Sequence, residues 1–404
     1  ADGGAPPPLG SAERSPSPSE LGEGLVVADF LDSDLSQFDS IVVTPGLPLN
    51  RHPIAQRAKE AGVEIIGDIE LFARARAELP AHKVVGITGT NGKSTTTALV
   101  HHILQTPGVP AAMGGNIRLP ILAQDPLPEG GVYVLELSSY QIDLTKSLDC
   151  DIAVLLNITP DHLDRYESFE AYGESKVRLF GMQSDKQSQV VDNETDARWG
   201  VTNEIDDPTI IFFDMPECVG TIDANRQSHW PALAGPHNAQ NAAAAIGVCS
   251  ALGLRNEQIE QGLRTYPGLP HRMERIAEKN GVLFVNDSKA TNPTATAPAL
   301  AAFWKIRWIC GGQAKTDNLD ECAPHFGHVV KAYTIGEAGE MFASLLSPHM
   351  AVAECVTLEE AVRTAASEAQ AGETLLLSPA CASFDQFRDF EARGDAFCVL
   401  VGGL

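Results

Sequence analysis

The chain has 404 residues, of which 44% are hydrophobic and 20% charged, so it is too long for one ordinary core and predicts a globular protein of two or three domains. Its 29 Lys and Arg residues against 53 Asp and Glu residues leave a formal net charge of −24, which disfavours nucleic acid or an anionic membrane as a partner. The eight cysteines form no Cys-x-x-Cys pair, no apolar run is long enough to span a bilayer, and no signal peptide is recognisable, so we expect a soluble cytoplasmic protein.

The first 80 residues predict a small α/β domain. Residues 1–24 are rich in Pro, Gly, Ser and Ala, so we expect an irregular opening, with ordered structure from about residue 25. The hydrophobic pattern then predicts a buried strand and turn over 41–46, a helix over 53–61, a strand over 64–67 and a helix over 68–77. Asp68 is the candidate cap of the last helix.

Residues 86–94, Gly-Ile-Thr-Gly-Thr-Asn-Gly-Lys-Ser, lie between an apolar run and an amphipathic one, which predicts a strand, a phosphate loop and a helix. The glycines let backbone N–H groups approach a polyphosphate, and the helix N-terminus adds partial positive charge. Lys93 is positioned to reach the outer phosphates and Ser94 to bind Mg²⁺. Five residues rather than the usual four separate Gly86 from Gly92, and a glycine-rich turn needs no nucleotide, but the lysine and hydroxyl at the right offsets favour phosphate binding.

Two further apolar runs, 132–137 and 152–158, are typical of strands buried on both faces of a parallel sheet. Glu136 lies at the carboxyl end of the first, where α/β sheets bind ligands, and we interpret it as a Mg²⁺ ligand; a helix cap or an ion pair is the alternative. His162, in Asp-His-Leu-Asp-Arg after the second run, is a candidate metal or phosphate ligand, or else a structural histidine.

The segment 181–231 is predicted to be irregular except for a strand at 209–213, and 238–252 is predicted to be an Ala-rich helix. Asn238 and Asn241 lie one turn apart on that helix, where they would bind an adenine edge or each other; helix capping by Asn238 is the alternative. Lys176, a lone lysine on a helix, has no functional interpretation from the residues alone.

Beyond a change of composition near residues 266–270, strands and helices alternate, which predicts βαβ units with right-handed crossovers. The predicted elements are strands at 282–285, 306–310, 329–335 and 374–377 and a helix at 358–371. Polar loops follow three of these strands, at 286–292, 311–315 and 378–385, and we expect them to form one edge of one site. Asp287 could accept from a ribose hydroxyl and Lys289 could neutralise phosphate or carboxylate; a capped turn at Asn292-Pro293 is the alternative.

Several strings together resemble the Mur ligase family, from about Ile41 to the end of the chain. The phosphate loop is shared across that family and with folylpolyglutamate synthases. Strings at 67–71, 135–141, 161–166, 237–238 and 268–272 also match. The strings Asn-Asp-Ser-Lys-Ala-Thr-Asn at 286–292, Ser-Pro-Ala-Cys-Ala-Ser at 378–383 and Phe-Asp-Gln-Phe at 384–387 resemble the members that add D-glutamate.

The resemblance implies an α/β protein of three domains. These are an N-terminal Rossmann-like domain for a uridine nucleotide over 1–80, a central P-loop ATPase domain with a mainly parallel sheet over 81–268, and a C-terminal Rossmann-like α/β domain for an amino acid over 269–404. The family opens with a strand and a Gly-x-Gly-x-Ser/Thr-Gly turn, and nothing like it precedes Leu25, so we expect the first domain to be incomplete. Arg118 stands where the family has glycine, and it would contact phosphate or obstruct the site.

The activity that the resemblance implies is amide-bond formation in peptidoglycan synthesis by a monomer. ATP, with two Mg²⁺ ions, phosphorylates the carboxylate of UDP-N-acetylmuramoyl-L-alanine, and the amine of D-glutamate attacks the acyl phosphate. The phosphate-loop spacing fits this family. The alternatives are another Mur ligase, a folylpolyglutamate synthase-like ligase, or a catalytically impaired relative that only binds nucleotide.

The resemblance also implies roles for individual residues. For ATP it implies Gly89, Thr90, Asn91, Gly92, Lys93, Ser94, Thr95, Asn238, Asn241, Arg272 and Asp287. For the UDP substrate it implies Thr44, Pro45, Gly46 and Asn116, and around D-glutamate Lys289, Thr291, Lys315, Ser383 and Phe390. As metal ligands it implies Ser94, Glu136, His162 and Lys176, the last as a carbamate, and as catalytic residues Lys93, His162 and Lys176.

Overall fold

Three β-sheets follow one another along the chain in the computed structural model, which describes residues 32–117, 119–160, 165–203, 208–214, 220–233 and 235–404. The expected irregular opening, Arg118 and His162 lie outside these residues. Within the described ranges, no helix is long and apolar enough to cross a bilayer. The architecture is α/β, as the sequence predicts.

The first sheet has two parallel strands, β1 (Ser40–Val42) and β2 (Glu64–Ile66), connected through helix α1 (Pro53–Ala61). Helix α2 (Asp68–Ala75) follows directly. Helix α1 begins with a proline, whose fixed φ suits a first helical position, and ends at Gly62 in the left-handed conformation. The two strands and two helices predicted for this region are confirmed.

Two details predicted for this region are wrong. Val42 is 50% exposed rather than buried, because β1 pairs with a single strand. Gly67 is the N-cap of α2, and Asp68 makes no capping hydrogen bond because it is already the first helical residue. Helix α2 instead buries Ile69 and Phe72 in a hydrophobic cluster that it shares with the second sheet.

The second sheet has six parallel strands in the order β4-β5-β3-β6-β7-β8. They are β3 (His82–Thr88), β4 (Ala111–Gly115), β5 (Gly131–Glu136), β6 (Ile152–Leu155), β7 (Ser188–Val191) and β8 (Thr209–Phe212). The helices in this region are α3 (Lys93–Gln105), α4 (Ser139–Asp143), α5 (Phe169–Gly181), α6 (Asn193–Trp199), α7 (Ala224–Gln227), α8 (Pro236–Ala251) and α9 (Asn256–Thr265). Helices α3, α8 and α9 cover one face of the sheet, and α2, α4 and α5 cover the other. The predicted strand, phosphate loop and helix are confirmed.

The strand predicted at 209–213 is confirmed as β8, but the segment 181–231 is more regular than predicted, because it also contains β7, α6 and α7. Strand β7 reads Ser-Gln-Val-Val, which is too short and too polar at its start for a clear apolar run. Its last two residues are nevertheless fully buried, because β7 pairs with strands on both sides.

The third sheet has six strands in the order β13-β12-β11-β14-β10-β9, all parallel except the edge strand β9. They are β9 (Glu274–Lys279), β10 (Val282–Asn286), β11 (Ile306–Gly311), β12 (Val329–Ile335), β13 (Ala351–Val356) and β14 (Thr374–Leu377). The helices are α10 (Pro293–Ala302), α11 (Gly339–Leu346), α12 (Leu358–Glu368) and α13 (Phe390–Gly402). The four predicted strands are confirmed. The two edge strands β9 and β13 were not predicted, because charged residues break the hydrophobic pattern of β9 and Glu354 interrupts the short apolar run of β13.

Short 3₁₀ turns occur at Leu35–Gln37, Arg76–Glu78, Ile121–Ala123, Val201–Asn203 and Ala323–His328. The domain boundaries near residues 80 and 268 stay predictions. What the topology does establish is that β3, β5 and β6 are neighbours in the second sheet and β10, β14 and β11 in the third. The loops after adjacent parallel strands therefore collect at one edge of each sheet.

Candidate active site

The phosphate loop connects β3 to α3, and its conformation requires glycine at two positions. Gly89 has φ 147° and Gly92, the N-cap of α3, has φ 84°. A Cβ at Gly92 would collide with the side-chain oxygen of Asn241, which shows how closely helix α8 approaches the loop. The backbone N–H groups at the start of α3 are therefore open to a phosphate rather than to a side-chain cap.

Asn241 and Asn238 contact each other on helix α8, beside this loop. Asn241 Nδ2 donates to Asn238 Oδ1 over 3.2 Å, and Asn241 Oδ1 accepts from Thr96 Oγ1 over 3.3 Å. Helix α8 begins one residue after its N-cap, Gly235, so the alternative that Asn238 caps this helix is wrong. The amide pair lies beside the phosphate loop, which is where a role in nucleotide binding requires it.

The outer part of the loop is held by the segment that follows β6. Asn91 N donates to Asn157 Oδ1 over 2.9 Å, and Asn157 Nδ2 donates back to Asn91 O over 3.2 Å. Thr90 Oγ1 donates to Thr159 O over 3.1 Å and accepts from Thr159 N over 3.0 Å. Sequence analysis missed Asn157 and Thr159, although the strand end that carries them was recognised.

Two lysines lie against the loop. Lys93 Nζ donates to the carbonyl oxygens of Gly89 and Thr90, each over 2.8 Å, and Lys176 Nζ donates to Gly89 O over 3.0 Å. Lys176 is only 1% exposed and lies 4.7 Å from the ring centroid of Tyr172. A residue to which the pattern assigned no function is therefore buried beside the phosphate loop.

Glu136 ends β5 directly beside β3, opposite Ile87. Its side chain is 2% exposed; Oε1 accepts from Asn116 Nδ2 over 3.1 Å, whereas Oε2 is buried without a hydrogen-bond partner among the described residues. Ser94, the second residue of α3, is 8% exposed. An unpartnered buried carboxylate oxygen near a hydroxyl and a phosphate loop fits Mg²⁺, which prefers oxygen ligands.

The described residues contain no cluster of three or more His, Cys, Asp or Glu side chains that would hold a metal by themselves. Mg²⁺ is usually held by one or two carboxylates together with substrate phosphates and water, so Glu136 and Ser94 remain sufficient as protein ligands. Of the two other predicted ligands, Lys176 lies beside the phosphate loop and His162 lies outside the described residues.

The Thr44-Pro45-Gly46 turn after β1 contacts the second sheet's domain through one arginine. The guanidinium of Arg165 donates to Gly46 O over 3.1 Å and to Leu47 O over 3.0 Å, and it lies 4.2 Å from the ring centroid of Tyr140. A cleft of about 220 Å³ lies between this turn and Tyr140. Of the predicted UDP-side residues, Pro45 therefore borders a cleft that Tyr140 and Arg165 of the second region also line.

The three polar loops of the third sheet are joined by hydrogen bonds. Ser378 Oγ donates to Asp287 Oδ2 over 2.7 Å, which links the loops after β14 and β10. Gln313 and Ala382 exchange backbone hydrogen bonds of 2.9 Å in both directions, which links the loops after β11 and β14. The prediction that these loops form one edge is confirmed.

Burial changes the protonation of Asp287. The carboxyl group is 5% exposed, and burial raises its pKa to about 7, against the hydrogen bonds from Ser378 and from the backbone N–H of Met273. The nearby charge of Arg272 also opposes this rise. Arg272 has a buried Nε with no hydrogen-bond partner among the described residues, so it has a donor available to a ligand.

Lys289 lies in the loop that follows β10 in the third sheet. Its Nζ lies 5.3 Å from the ring centroid of Phe390. Burial lowers the pKa of Lys289 and Arg272 lowers it further, whereas the charges of Glu136 and Glu391 oppose this. Glu136 belongs to the second sheet, so charges from both large sheets act on Lys289.

The other residues predicted to surround D-glutamate differ in their burial. Ser383 is 2% exposed, Thr291 is half-buried and Lys315 is exposed. Arg393, which sequence analysis missed, is buried behind these loops. Its spacing of three residues from Phe390 on one helix face is the signal that could have indicated it.

The fold and this site define a nucleotide-binding α/β protein in which a phosphate loop faces the strand-end loops of another α/β domain. Comparisons with known proteins agree. The model of the Mur ligase middle domain matches residues 87–249, and that of the Mur ligase glutamate ligase domain matches residues 271–381. The chain belongs to the Mur ligase family.

Two curated relatives named UDP-N-acetylmuramoylalanine–D-glutamate ligase are similar over most of their length. The one from Novosphingobium aromaticivorans is 58% identical over 381 residues, 94% of this chain and 85% of the relative. The one from Sphingopyxis alaskensis is 54% identical over 386 residues, 94% of this chain and 88% of the relative. Among solved structures, the MurF ligase of Thermotoga maritima in complex with ADP has the same fold, with a TM-score of 0.61, 18% identity, and coverage of 90% of this chain and 95% of that one.

Proposed function

We propose that this chain is an ATP- and Mg²⁺-dependent ligase that joins D-glutamate to UDP-N-acetylmuramoyl-L-alanine in peptidoglycan precursor synthesis. The observation that carries the proposal is the phosphate loop at the start of α3, with the unpartnered buried carboxylate oxygen of Glu136 on the strand beside it. The names of the two curated relatives support the same substrates.

The chemistry follows from the weakness of a carboxylate as an electrophile. Transfer of the γ-phosphoryl group of ATP to the L-alanyl carboxylate gives an acyl phosphate, in which phosphate is a good leaving group. The amine of D-glutamate then attacks the acyl carbon, and the C–O bond to phosphate breaks. Lys93 and the N–H groups of the loop stabilise the negative charge of the transferring phosphoryl group.

ATP is bound along the phosphate loop, through Gly89, Thr90, Asn91, Gly92, Lys93, Ser94 and Thr95. Its base and ribose are bound by Asn238 and Asn241 on one domain and by Arg272 and Asp287 on the other. The side-chain amides beside Gly92 and the free donor of Arg272 suit this role. The nucleotide would thus join the two domains.

The metal role falls to Glu136 and Ser94, with His162 and a carbamate on Lys176 as the remaining ligands of two Mg²⁺ ions. When bound, these ions neutralise phosphate charge. A carbamate would turn the buried cation of Lys176 into an anionic ligand, which its position beside the loop supports.

The two substrates approach from opposite sides. Thr44, Pro45, Gly46 and Asn116 bind the UDP substrate, since the turn borders the cleft and Asn116 lies on Glu136. D-Glutamate is bound by Lys289, Thr291, Lys315, Ser383 and Phe390. The lysines suit a dicarboxylic acid in a chain whose net charge is −24.

The test is phosphate release from ATP with UDP-N-acetylmuramoyl-L-alanine and one acceptor at a time. We expect release with D-glutamate and none above background with L-lysine or folate. Lys93→Ala measured in parallel sets the background from contaminating ATPases. Release that prefers another acceptor would indicate a different ligase of this fold, and release that needs neither cosubstrate would contradict the proposal.

A further inference from the structure

Arg393 is a buried cation with neutral partners. Its side chain is among the largest buried in the described structure, with 1% exposure. The guanidinium donates to Ser288 Oγ over 3.0 Å, Ser288 O over 2.8 Å, Cys381 O over 3.0 Å and Ala382 O over 3.2 Å. These four acceptors carry no formal charge, so the positive charge is solvated by the backbone of two loops.

The two loops are those that carry the proposed D-glutamate residues. Ser288 immediately precedes Lys289 after β10, and Ala382 immediately precedes Ser383 after β14. The loop after β11 is fitted to the same group, since a Cβ on Gly312 would lie 3.2 Å from an Arg393 nitrogen and would collide with Ala382 O. The guanidinium therefore bonds to two of the loops and lies close to the third.

Other residues of helix α13 near Arg393 pack against Lys289 and its neighbours. Phe390, three residues earlier, lies under Lys289. Gly394 leaves room for His271, whose carbonyl accepts from Lys289 N over 2.9 Å. The first turn is fixed by Asp389, whose carboxylate accepts from Ala392 N over 2.7 Å. The face is thus a rigid backing for Lys289.

Burying a charge without a counter-ion is costly, and an apolar side chain in its place would often be neutral or stabilising. The cost is visible here, because burial lowers the pKa of Arg393 to about 10, although the charge of Asp385 opposes this. Stability alone does not account for an arginine at this position. A role in positioning the two loops and in attracting an anionic ligand accounts for the arginine.

We infer that Arg393 is a positioning residue for the acceptor amino acid, holding the Lys289 and Ser383 loops in register and supplying buried positive charge to a dicarboxylate. The inference rests on the proposed function. It predicts a role in D-glutamate binding and none in activation of the L-alanyl carboxylate, which takes place on the phosphate-loop side.

The experiment compares the two half-reactions in Arg393→Lys, which keeps the charge but cannot span both loops. Acyl phosphate is trapped as a hydroxamate with hydroxylamine, without D-glutamate; the KM for D-glutamate is measured in the complete reaction. We expect the KM for D-glutamate to rise about tenfold or more, because charge-assisted hydrogen bonds are lost. Hydroxamate formation and the KM for ATP should stay within about twofold of the wild type.

Arg388→Lys is the matched control, because Arg388 is near the same helix with its side chain 84% exposed. It should leave both half-reactions unchanged. If Arg393→Lys does not fold, Ser288→Ala replaces it, since that change removes one acceptor of the guanidinium. We then expect a smaller rise, of about threefold, again confined to D-glutamate.

An unchanged KM for D-glutamate in a folded variant would overturn the inference. So would an equal loss of hydroxamate formation and of D-glutamate binding, because that pattern indicates general damage to the structure. Failure of the proposed function appears separately, as a wild-type enzyme that forms no hydroxamate or shows no dependence on D-glutamate.

Discussion

Lys93 and Lys176 donate hydrogen bonds to the same acceptor, the carbonyl oxygen of Gly89, over 2.8 Å and 3.0 Å. Two cations at one carbonyl repel each other, and the buried position of Lys176 weakens screening by water. A triphosphate would relieve this repulsion by drawing Lys93 towards its oxygens. A carbamate on Lys176 would relieve it by reversing one charge. Under the proposed function, both changes would prepare the loop for phosphoryl transfer.

Lys93→Ala should reduce acyl-phosphate formation by about 10²–10³-fold, because it removes the cation that faces the transferring phosphoryl group. The measurement is hydroxamate trapping, with circular dichroism to show that the fold persists. Lys83→Ala is the control, since Lys83 is an exposed lysine on the preceding strand. Near-normal trapping in Lys93→Ala would count against the assignment of the phosphate loop.

Lys176→Ala should lose most activity and regain part of it when a small carboxylate such as acetate or formate is added. The reason is that the added anion can occupy the space of a carbamate beside Gly89. Lys186→Ala, at an exposed position, should show neither the loss nor the response. If no carboxylate restores any activity, the carbamate on Lys176 is contradicted.

Glu136→Gln should raise the Mg²⁺ concentration needed for half-maximal activity by about 10- to 100-fold, the range for altered metal sites. The carboxylate loses its charge but keeps its size beside Asn116. Without Mg²⁺ the variant should unfold at the same or a higher temperature than the wild type, since Oε2 is an unpartnered buried charge among the described residues. Glu129→Gln, on the surface, is the control.

An unchanged Mg²⁺ dependence in Glu136→Gln would exclude this carboxylate as a ligand. A lower unfolding temperature without Mg²⁺ would show that Oε2 makes a stabilising contact in solution.

The sequence predicted those parts of the site that are local in the chain. The phosphate loop, Glu136 and the three C-terminal loops each follow a strand whose apolar run is easily recognised. A strand end implies a sheet edge, so these residues could be placed together without knowing the strand order. The same reasoning failed for β7, which has only four residues, for β9, which is rich in charged residues, and for β13, whose apolar run is interrupted by Glu354.

Contacts made between distant segments could not be predicted. The burial of Lys176 depends on α5 packing against the phosphate loop 87 residues away. The four hydrogen bonds of Arg393 depend on the order β11-β14-β10, which brings its loops together. Asp68 failed as a cap for a simpler reason, since it is itself the first residue of the helix and Gly67 occupies the N-cap position.

The pH dependence of the free energy of unfolding should reveal the raised pKa of Asp287. Its pKa is about 7 in the folded protein and near 3.8 when exposed, so the folded state binds a proton that the unfolded state releases between these values. This contribution is fully present below pH 3.8 and is lost as the pH rises to 7, by up to about 4 kcal/mol. The measurement is the free energy of unfolding in urea at several pH values.

Asp287→Asn should remove this fall in the free energy of unfolding as the pH rises. Asp320→Asn, at an exposed position, should leave the fall unchanged. Parallel pH profiles for Asp287→Asn and the wild type would show that Asp287 is ionised throughout.

Glu70→Ala should weaken the packing of helix α2, which follows the first sheet, against the segment after α4. Glu70 is 1% exposed and accepts from Lys146 N over 2.7 Å, from Ser147 N over 2.9 Å and from Ser147 Oγ over 2.9 Å. Its removal breaks three hydrogen bonds to a charged acceptor, whose donors belong to exposed residues and can turn to water, so the cost is about 1.5–3 kcal/mol. Urea unfolding should show this loss, whereas Glu78→Ala, an exposed residue nearby, should change little. An equal effect of the two changes would contradict this role.

The central claim is that one site spans the phosphate loop and the C-terminal loops. The most direct measurement is mass spectrometry of the uridine nucleotide after incubation with ATP, Mg²⁺ and D-glutamate. The account predicts that UDP-N-acetylmuramoyl-L-alanine gains the mass of one glutamyl residue, that one ATP is hydrolysed per amide formed, and that omitting any component prevents the change. ATP hydrolysis without any amide product from D-glutamate would contradict it.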